Sequence, residues 1–251
     1  MATSSHETKA SLRKTVKQEL SALPYEAISS QSQNAQDIVL SLPQYRDAQR
    51  ISVYLAMPSG EARTDTIVKD ALGSGKQVFV PYIYSRHEAS SSGGGGEGYK
   101  PAKRAKVMDM LRLRSAEEYD GLSRDSWGIP HLSHEKIEER ENAMGGVGLS
   151  FTGDSKESAR EPSQAYGEDG GTLDLIVVPG VAFDSDLNRL GHGAGFYDSY
   201  FTRSCTEDER KRPFLVGLCL AEQVLPTGRI AMQEWDRRVD VVAVGDGRLL
   251  T

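Results

Sequence analysis

Between Ile51 and Val80 the chain reads strand, helix, strand, and that unit leaves few folds open. Ile51–Leu55 (ISVYL) is short and β-rich. Thr64 is placed to cap a helix carrying Ile67, Val68, Ala71 and Leu72, ending at Gly73 or Gly75. Val78–Val80 is a second strand of the buried type, stopped by Pro81. Two strands joined through a helix within about 30 residues lie parallel, with a right-handed crossover.

The rest of the chain repeats the alternation. Leu12, Val16, Leu20 and Leu23 form one apolar stripe, so residues 8–22 read as a helix with Thr8 as N-cap. Pro24 ends it and opens a second helix, marked by Ile28, Ala35, Ile38, Val39 and Leu42 and closed by Pro43. Residues 105–113 read as a strand. Leu173–Val178 (LDLIVV) is the strongest strand signal in the chain; a helix over about 193–204 and strands at Phe214–Leu218 and Val239–Val244 follow. Strands alternating with helices predict a layered α/β domain. Residues 88–98 (EASSSGGGGEG) and 133–172, rich in Gly, Ser and Glu, read as disordered, low-complexity surface insertions in a single domain spanning 1–251.

Composition narrows the function classes. The 251 residues carry a net charge of −6 with scattered basic residues, so no nucleic-acid footprint is expected. Cys205 and Cys219 make neither a disulfide framework nor a CxxC zinc pair. The polar N-terminus lacks a secretory h-region, and no apolar run is long enough to span a bilayer. The expectation is a soluble cytoplasmic monomer without membrane partners; Glu7 argues mildly against a mitochondrial address.

The chemistry concentrates in Arg189–Asp198 (RLGHGAGFYD). Gly191, Gly193 and Gly195 allow positive φ and close backbone approach. Exposed amides in such a loop form an anion-binding nest, and a following helix adds its N-terminal dipole. Arg189 supplies a charge that pairs phosphate oxygens, and Asp198 can hold magnesium. The spacing is GxGxG, not the dinucleotide GxGxxG. Gly75-Lys76 is followed by Gln77, with no glycine five positions before Gly75, so it is not a P-loop. Taken alone, the loop is a candidate phosphate cradle or a flexible turn before a helix.

The wider stretch DLIVVPGVAFDSDLNRLGHGAGFYD (174–198) closely resembles the 5-formyltetrahydrofolate cyclo-ligase (5,10-methenyltetrahydrofolate synthetase) family. Lys9–Arg13 (KASLR) is similar to its N-terminal K-x-x-L-R. ISVYLAMPSGEARTDTIV (51–68) resembles its first strand and substrate-binding acid, with the E-x-x-T step at Glu61–Thr64. Val107–Met110, Trp127–Pro130, Glu222-Gln223 and Trp235–Asp240 match further segments in order.

The resemblance implies a three-layer α/β/α sandwich with a mostly parallel central sheet, of the NagB/RpiA/CoA-transferase-like kind. It implies ATP- and Mg2+-dependent closure of 5-formyltetrahydrofolate, with or without a polyglutamyl tail, to 5,10-methenyltetrahydrofolate through an iminium phosphate, with release of ADP and phosphate. ATP would be held by Lys9, Arg13, Arg189, Leu190, Gly191, His192, Gly193, Ala194, Gly195, Phe196 and Tyr197. Arg189, Tyr197 and Asp198 would serve catalysis. Asp198 and Asp236 would ligate magnesium, and Met57, Glu61, Trp127 and Tyr197 would bind folate, with Glu61 on the pterin ring.

Other readings stand beside these. Without the resemblance, Lys9 and Arg13 belong to a solvated basic face with Lys14 and Lys17, Asp236 is a surface acid, and Met57 and Trp127 are core residues. His192 stands where many relatives carry a basic residue. His131 and His134 read as surface residues, not a metal site. Two competing functions are a non-catalytic folate- or nucleotide-binding regulatory protein on the same fold, and a sugar-phosphate isomerase or CoA-transferase relative.

Overall fold

The computed structural model describes residues 8–86, 105–151, 172–204 and 212–251. The insertion expected at 88–98 lies outside them, as does the 152–171 half of its counterpart at 133–172. Among the described residues, no helix is long and apolar enough to cross a membrane.

Helices α1 (Lys9–Ser21), α2 (Tyr25–Ser41) and α3 (Pro43–Asp47) precede the first strand, β1 (Arg50–Val53). Thr8 caps α1 as expected, its hydroxyl oxygen accepting from the Ser11 amide at 3.2 Å. Leu12, Val16 and Leu20 are buried along one side of α1, each contributing about 1.5–3 kcal/mol by leaving water. Helix α4 (Asp65–Gly73) leads to β2 (Gln77–Arg86), which pairs parallel to β1. Thr64 precedes α4 but does not cap it. Its hydroxyl donates to the Tyr54 carbonyl at 2.7 Å, and the Thr66 and Ile67 amides donate to Oε1 of the buried Gln36 of α2.

Strand β2 does not stop at Pro81. It runs on to Arg86 against the antiparallel β3 (Ala105–Leu113), with Pro81 opposite Met110. Pairing to β1 ends at Phe79, so Pro81 lies on a stretch with a partner on one side only, where a missing N–H is tolerated. After the short α5 (Ala116–Asp120) and the two-residue strands β4 (Ser123–Arg124) and β5 (Pro130–His131) comes β6 (Leu175–Val178). A hairpin of β7 (Ala182–Asp184) and β8 (Arg189–Leu190), α6 (Phe196–Ser204), β9 (Phe214–Cys219), β10 (Val224–Leu225), β11 (Val241–Val244) and β12 (Leu249–Leu250) complete the chain.

The main sheet has seven strands in the order β12-β11-β9-β6-β1-β2-β3, parallel except at its two edges. Both faces are covered. Leu175 and Val177 join the core that holds α1, α2 and α4, while Ile176 and Val178 join Tyr200 and Phe201 of α6 on the other side. The expected α/β architecture with a mostly parallel sheet is therefore present. Among the described residues the second outer layer is built by α6 and the small sheet β10-β7-β8.

The expectation of an insertion over 133–172 needs correction for residues 133–151. Ala143 donates to the Met110 carbonyl at 2.9 Å, Arg112 donates to the Glu141 carbonyl at 2.9 Å, and Asn142 is buried. The segment lies along β3 and covers that edge of the sheet. It is held by backbone pairing and by buried polar groups such as Asp109, Arg140 and Asn142, which leave no apolar periodicity in sequence.

Candidate active site

Parallel strands end together, and a cleft of about 960 Å³ opens beyond the carboxyl ends of β6, β1 and β2. Pro179 follows β6, Tyr54–Met57 follow β1, and Pro81–Ile83 belong to the outer half of β2; residues of each line the cleft. The glycine loop does not come straight from β6. The β7–β8 hairpin intervenes and carries Arg189 at its end, 6% exposed.

Arg189 anchors the loop from below. Its Nη2 donates to Asp198 Oδ1 at 2.7 Å, and its guanidinium lies 5.7 Å from the Tyr197 ring centroid. A Cβ on Gly191 would come within 2.9 Å of Arg189 Nη1. Gly193 and Gly195 have φ of +107° and +70°, the left-handed region that a nest of amides uses. Helix α6 begins directly after Gly195, so its N-terminal dipole faces the loop. His192, Ala194 and both these glycines are exposed, whereas Leu190 is buried and contributes only backbone.

The first helix meets this loop. Arg13 Nε donates to the Gly191 carbonyl at 2.7 Å, and the Lys9 ammonium pairs with the Asp236 carboxylate. Lys9 and Arg13 therefore leave the solvated face that residue type alone suggests. Asp198 and Asp236 both line the cleft, each already held by a cation. Among the described residues no group of three or more His, Cys, Asp or Glu is placed to hold a metal. Two carboxylates beside a phosphate cradle do suit magnesium, a hard cation that completes its shell with water and phosphate oxygens.

Glu61 sits opposite the loop, 6% exposed, with Oε1 accepting from the Met57 amide at 2.6 Å. Burial pushes its carboxyl up to about 7, the Met57 bond acting the other way. His192 Nε2 is 4.0 Å from Glu61 Oε2. Burial of its inner edge, then the charges of Lys17, Arg189 and Arg13, bring the imidazole down to about 4. Tyr197 is half-buried and lines the cleft; its hydroxyl has no hydrogen-bond partner among the described residues. An unpaired buried hydroxyl is costly unless a ligand completes it.

Met57 and Phe196 line the cleft as expected, but Trp127 does not. It is 74% exposed, on a turn where Asp125 Oδ1 accepts from the Trp127 and Ile129 amides. Its neighbours Asp125, Ile129 and Pro130 face the cleft instead. The two histidines read as surface residues also belong to the lining. Tyr82 bonds to His134 Nδ1, and His131 Nδ1 is buried without a partner among the described residues. Tyr82, Met108 and Trp235 complete the lining residues that sequence reasoning missed. The available signals were the His131–His134 spacing and the matched segments around Met108, Trp127–Pro130 and Trp235.

Comparison with known proteins agrees with this geometry. A family model described as the 5-formyltetrahydrofolate cyclo-ligase family matches residues 5–155 and 153–245. The chain is 34% identical to the 5-formyltetrahydrofolate cyclo-ligase of Mus musculus, over 95% of this chain and 94% of that one. It is 30% identical to that of Saccharomyces cerevisiae, over 96% and 97%. Both relatives are ligases by name. Among solved structures, the 5,10-methenyltetrahydrofolate synthetase of Aquifex aeolicus superposes with a TM-score of 0.57 at 22% identity, covering 94% of this chain and 89% of that one. The Mycoplasma pneumoniae synthetase gives 0.55 at 18%, covering 94% and 98%. These two likenesses carry the fold.

Proposed function

The chain belongs to the 5-formyltetrahydrofolate cyclo-ligase family, and from that premise we propose that it closes 5-formyltetrahydrofolate to 5,10-methenyltetrahydrofolate at the expense of MgATP. The observation that carries the reading is the 4.0 Å approach of His192, in the phosphate loop, to Glu61, the buried acid after β1. Phosphoryl transfer between two substrates needs their sites to abut, and a glycine loop in reach of the buried acid supports that reading.

The formyl oxygen of the substrate is amide-like and leaves poorly. It attacks the γ-phosphorus and the β–γ bridging bond breaks, so ADP departs and an iminium phosphate remains. N10 then attacks the activated carbon and loses its proton, and the C–O bond breaks to release phosphate. Little of this needs a protein nucleophile; it needs positioning and charge neutralisation. Arg13 and Arg189 neutralise the nucleotide, and the amides around Gly193 and Gly195 orient its phosphates. Asp198 and Asp236 would hold magnesium, which would shield the phosphate charge. Glu61 accepts from the pterin amino and ring N–H groups, Met57 supplies an apolar wall, and the Tyr197 hydroxyl donates to a ligand oxygen.

The test is direct. Protein mixed with 5-formyltetrahydrofolate and MgATP should produce the near-ultraviolet absorbance of methenyltetrahydrofolate, and omission of ATP should abolish it. No rise from folded protein sinks the proposal.

A further inference from the structure

We propose that His192 couples the two substrate sites: phosphate bound in the glycine loop draws a proton onto its imidazole, and the imidazolium holds Glu61 as the carboxylate that receives the pterin. The inference rests on the reading of the cleft as a nucleotide site joined to a folate site.

The geometry is that of a switch between two charge arrangements. His192 stands between Gly191 and Gly193, with 38% of its side chain open, and its Nε2 lies 4.0 Å from Glu61 Oε2. That separation is too long for a hydrogen bond between neutral partners and short enough for an ion pair. The ring is faced by three cations, Lys17 and Arg13 of α1 and Arg189 of β8, with Glu61 as the acid opposite. Glu61 in turn is faced by the Met57 amide and by the hydroxyls of Tyr54 and Tyr197, which burial keeps protonated. Neutral imidazole and protonated carboxyl are therefore the resting forms at mildly acid pH.

A bound triphosphate reverses the field. Its oxygens pair with the cations that now repel a proton from His192, and they add negative charge beside the ring. Protonation of His192 then favours ionised Glu61 across the gap. A carboxylate offers acceptors on both oxygens to pterin N–H donors, whereas the acid form spends one oxygen as a donor. Nucleotide binding thus prepares the folate site, and by linkage folate binding tightens the nucleotide to the same degree.

The proton balance makes this measurable without turnover. Near pH 6 the proton already on Glu61 passes to His192, and no net uptake occurs. Near pH 8 Glu61 starts ionised, so the proton must come from the medium, and a net fractional uptake accompanies MgATP binding. Calorimetric titration of the full chain with MgATP alone, in buffers of different ionisation heat, reads this number.

His192→Asn should lose the uptake at pH 8 and should bring the effect of a non-hydrolysable ATP analogue on 5-formyltetrahydrofolate affinity, about 5- to 150-fold in the parent, down to about one. His192→Arg, a permanent cation, should take up no proton yet bind folate tightly without nucleotide. Buffer-independent heats at pH 8 in the parent overturn the proposal, as does unchanged uptake in His192→Asn. Either result leaves the cyclo-ligase reading to its own absorbance test, since no folate is present in the proton measurement.

Discussion

Arg13 Nε donates to the Gly191 carbonyl at 2.7 Å and ties the first helix to a loop 178 positions later. The bond spends a charged donor on the loop backbone and leaves the rest of the guanidinium facing the cleft. Arg13→Ala should weaken MgATP binding by roughly 10- to 100-fold, the range for a hydrogen bond to a charged group. It should also speed amide exchange at Gly191–Gly195. Calorimetry and hydrogen exchange read both, and unchanged affinity removes Arg13 from the nucleotide site.

Arg189 does two jobs that a single substitution confounds. Its side chain is 4% exposed and pairs with Asp198, so Arg189→Ala strands a part-buried carboxylate. The variant should lose about 3 kcal/mol of stability as well as MgATP affinity. Adding Asp198→Ala should restore most of the stability and none of the affinity. Denaturant melts separate the two effects; a single variant as stable as the parent contradicts the pairing argument.

Asp198 and Asp236 are each neutralised by a cation, Arg189 and Lys9 respectively. On the proposed reading, magnesium would have to displace Arg189 and Lys9 from them. Either Asp198→Asn or Asp236→Asn should raise the magnesium concentration for half-maximal turnover about tenfold or more. A magnesium titration of turnover checks it, and a curve superposable on the parent's removes that acid as a ligand.

Glu61 sets a pH dependence with an unusual sign. Burial pushes its folded carboxyl from the ordinary 4.5 up to about 7, so the folded state binds the extra proton between these values. Stability is then lost as pH rises through that window and stays lost above it. Glu61→Gln should remove the penalty, gaining up to about 3 kcal/mol at pH 8 and little near pH 4. It should at the same time raise KM for the folate. His192, lowered to about 4, contributes a slope of opposite sign between 4 and 6.5, so the comparison is made between parent and variant at each pH. A Tm difference that does not grow from pH 4 to pH 8 contradicts the burial argument.

What was legible in the sequence was local. The Leu12–Val16–Leu20 stripe with its Thr8 cap, and the run ending at Val178, each carry their signal within a few residues. Pairing between distant segments was not legible. Pro81 reads as a stop until β3 lies opposite it, and Thr64 reads as a cap until Gln36 takes that place. The site divides in the same way. Arg189, the glycines and Glu61 stand in recognisable segments, whereas Tyr82, His131 and His134 reach the cleft only because β2 extends past Pro81 and the 125–134 loop folds back over β1's end. Trp127 failed for the converse reason: its segment was rightly located, but the Asp125 turn faces its neighbours inward and the indole out.

The clasp of Lys9 on Asp236 spans 227 positions, and it has a consequence for synthesis. A chain emerging from the ribosome already carries α1, Glu61, the glycine loop and Asp198 while Asp236 is still unmade. At about 5–20 residues per second that interval lasts a few seconds. Arg189 sheathes Asp198 from within the same short stretch of chain, so one acid is covered from the start, while Lys9 waits for the other. A nascent chain that pauses before residue 236 is left with Lys9 unclasped, and with the junction between the first helix and the C-terminal wall of the cleft still to be made.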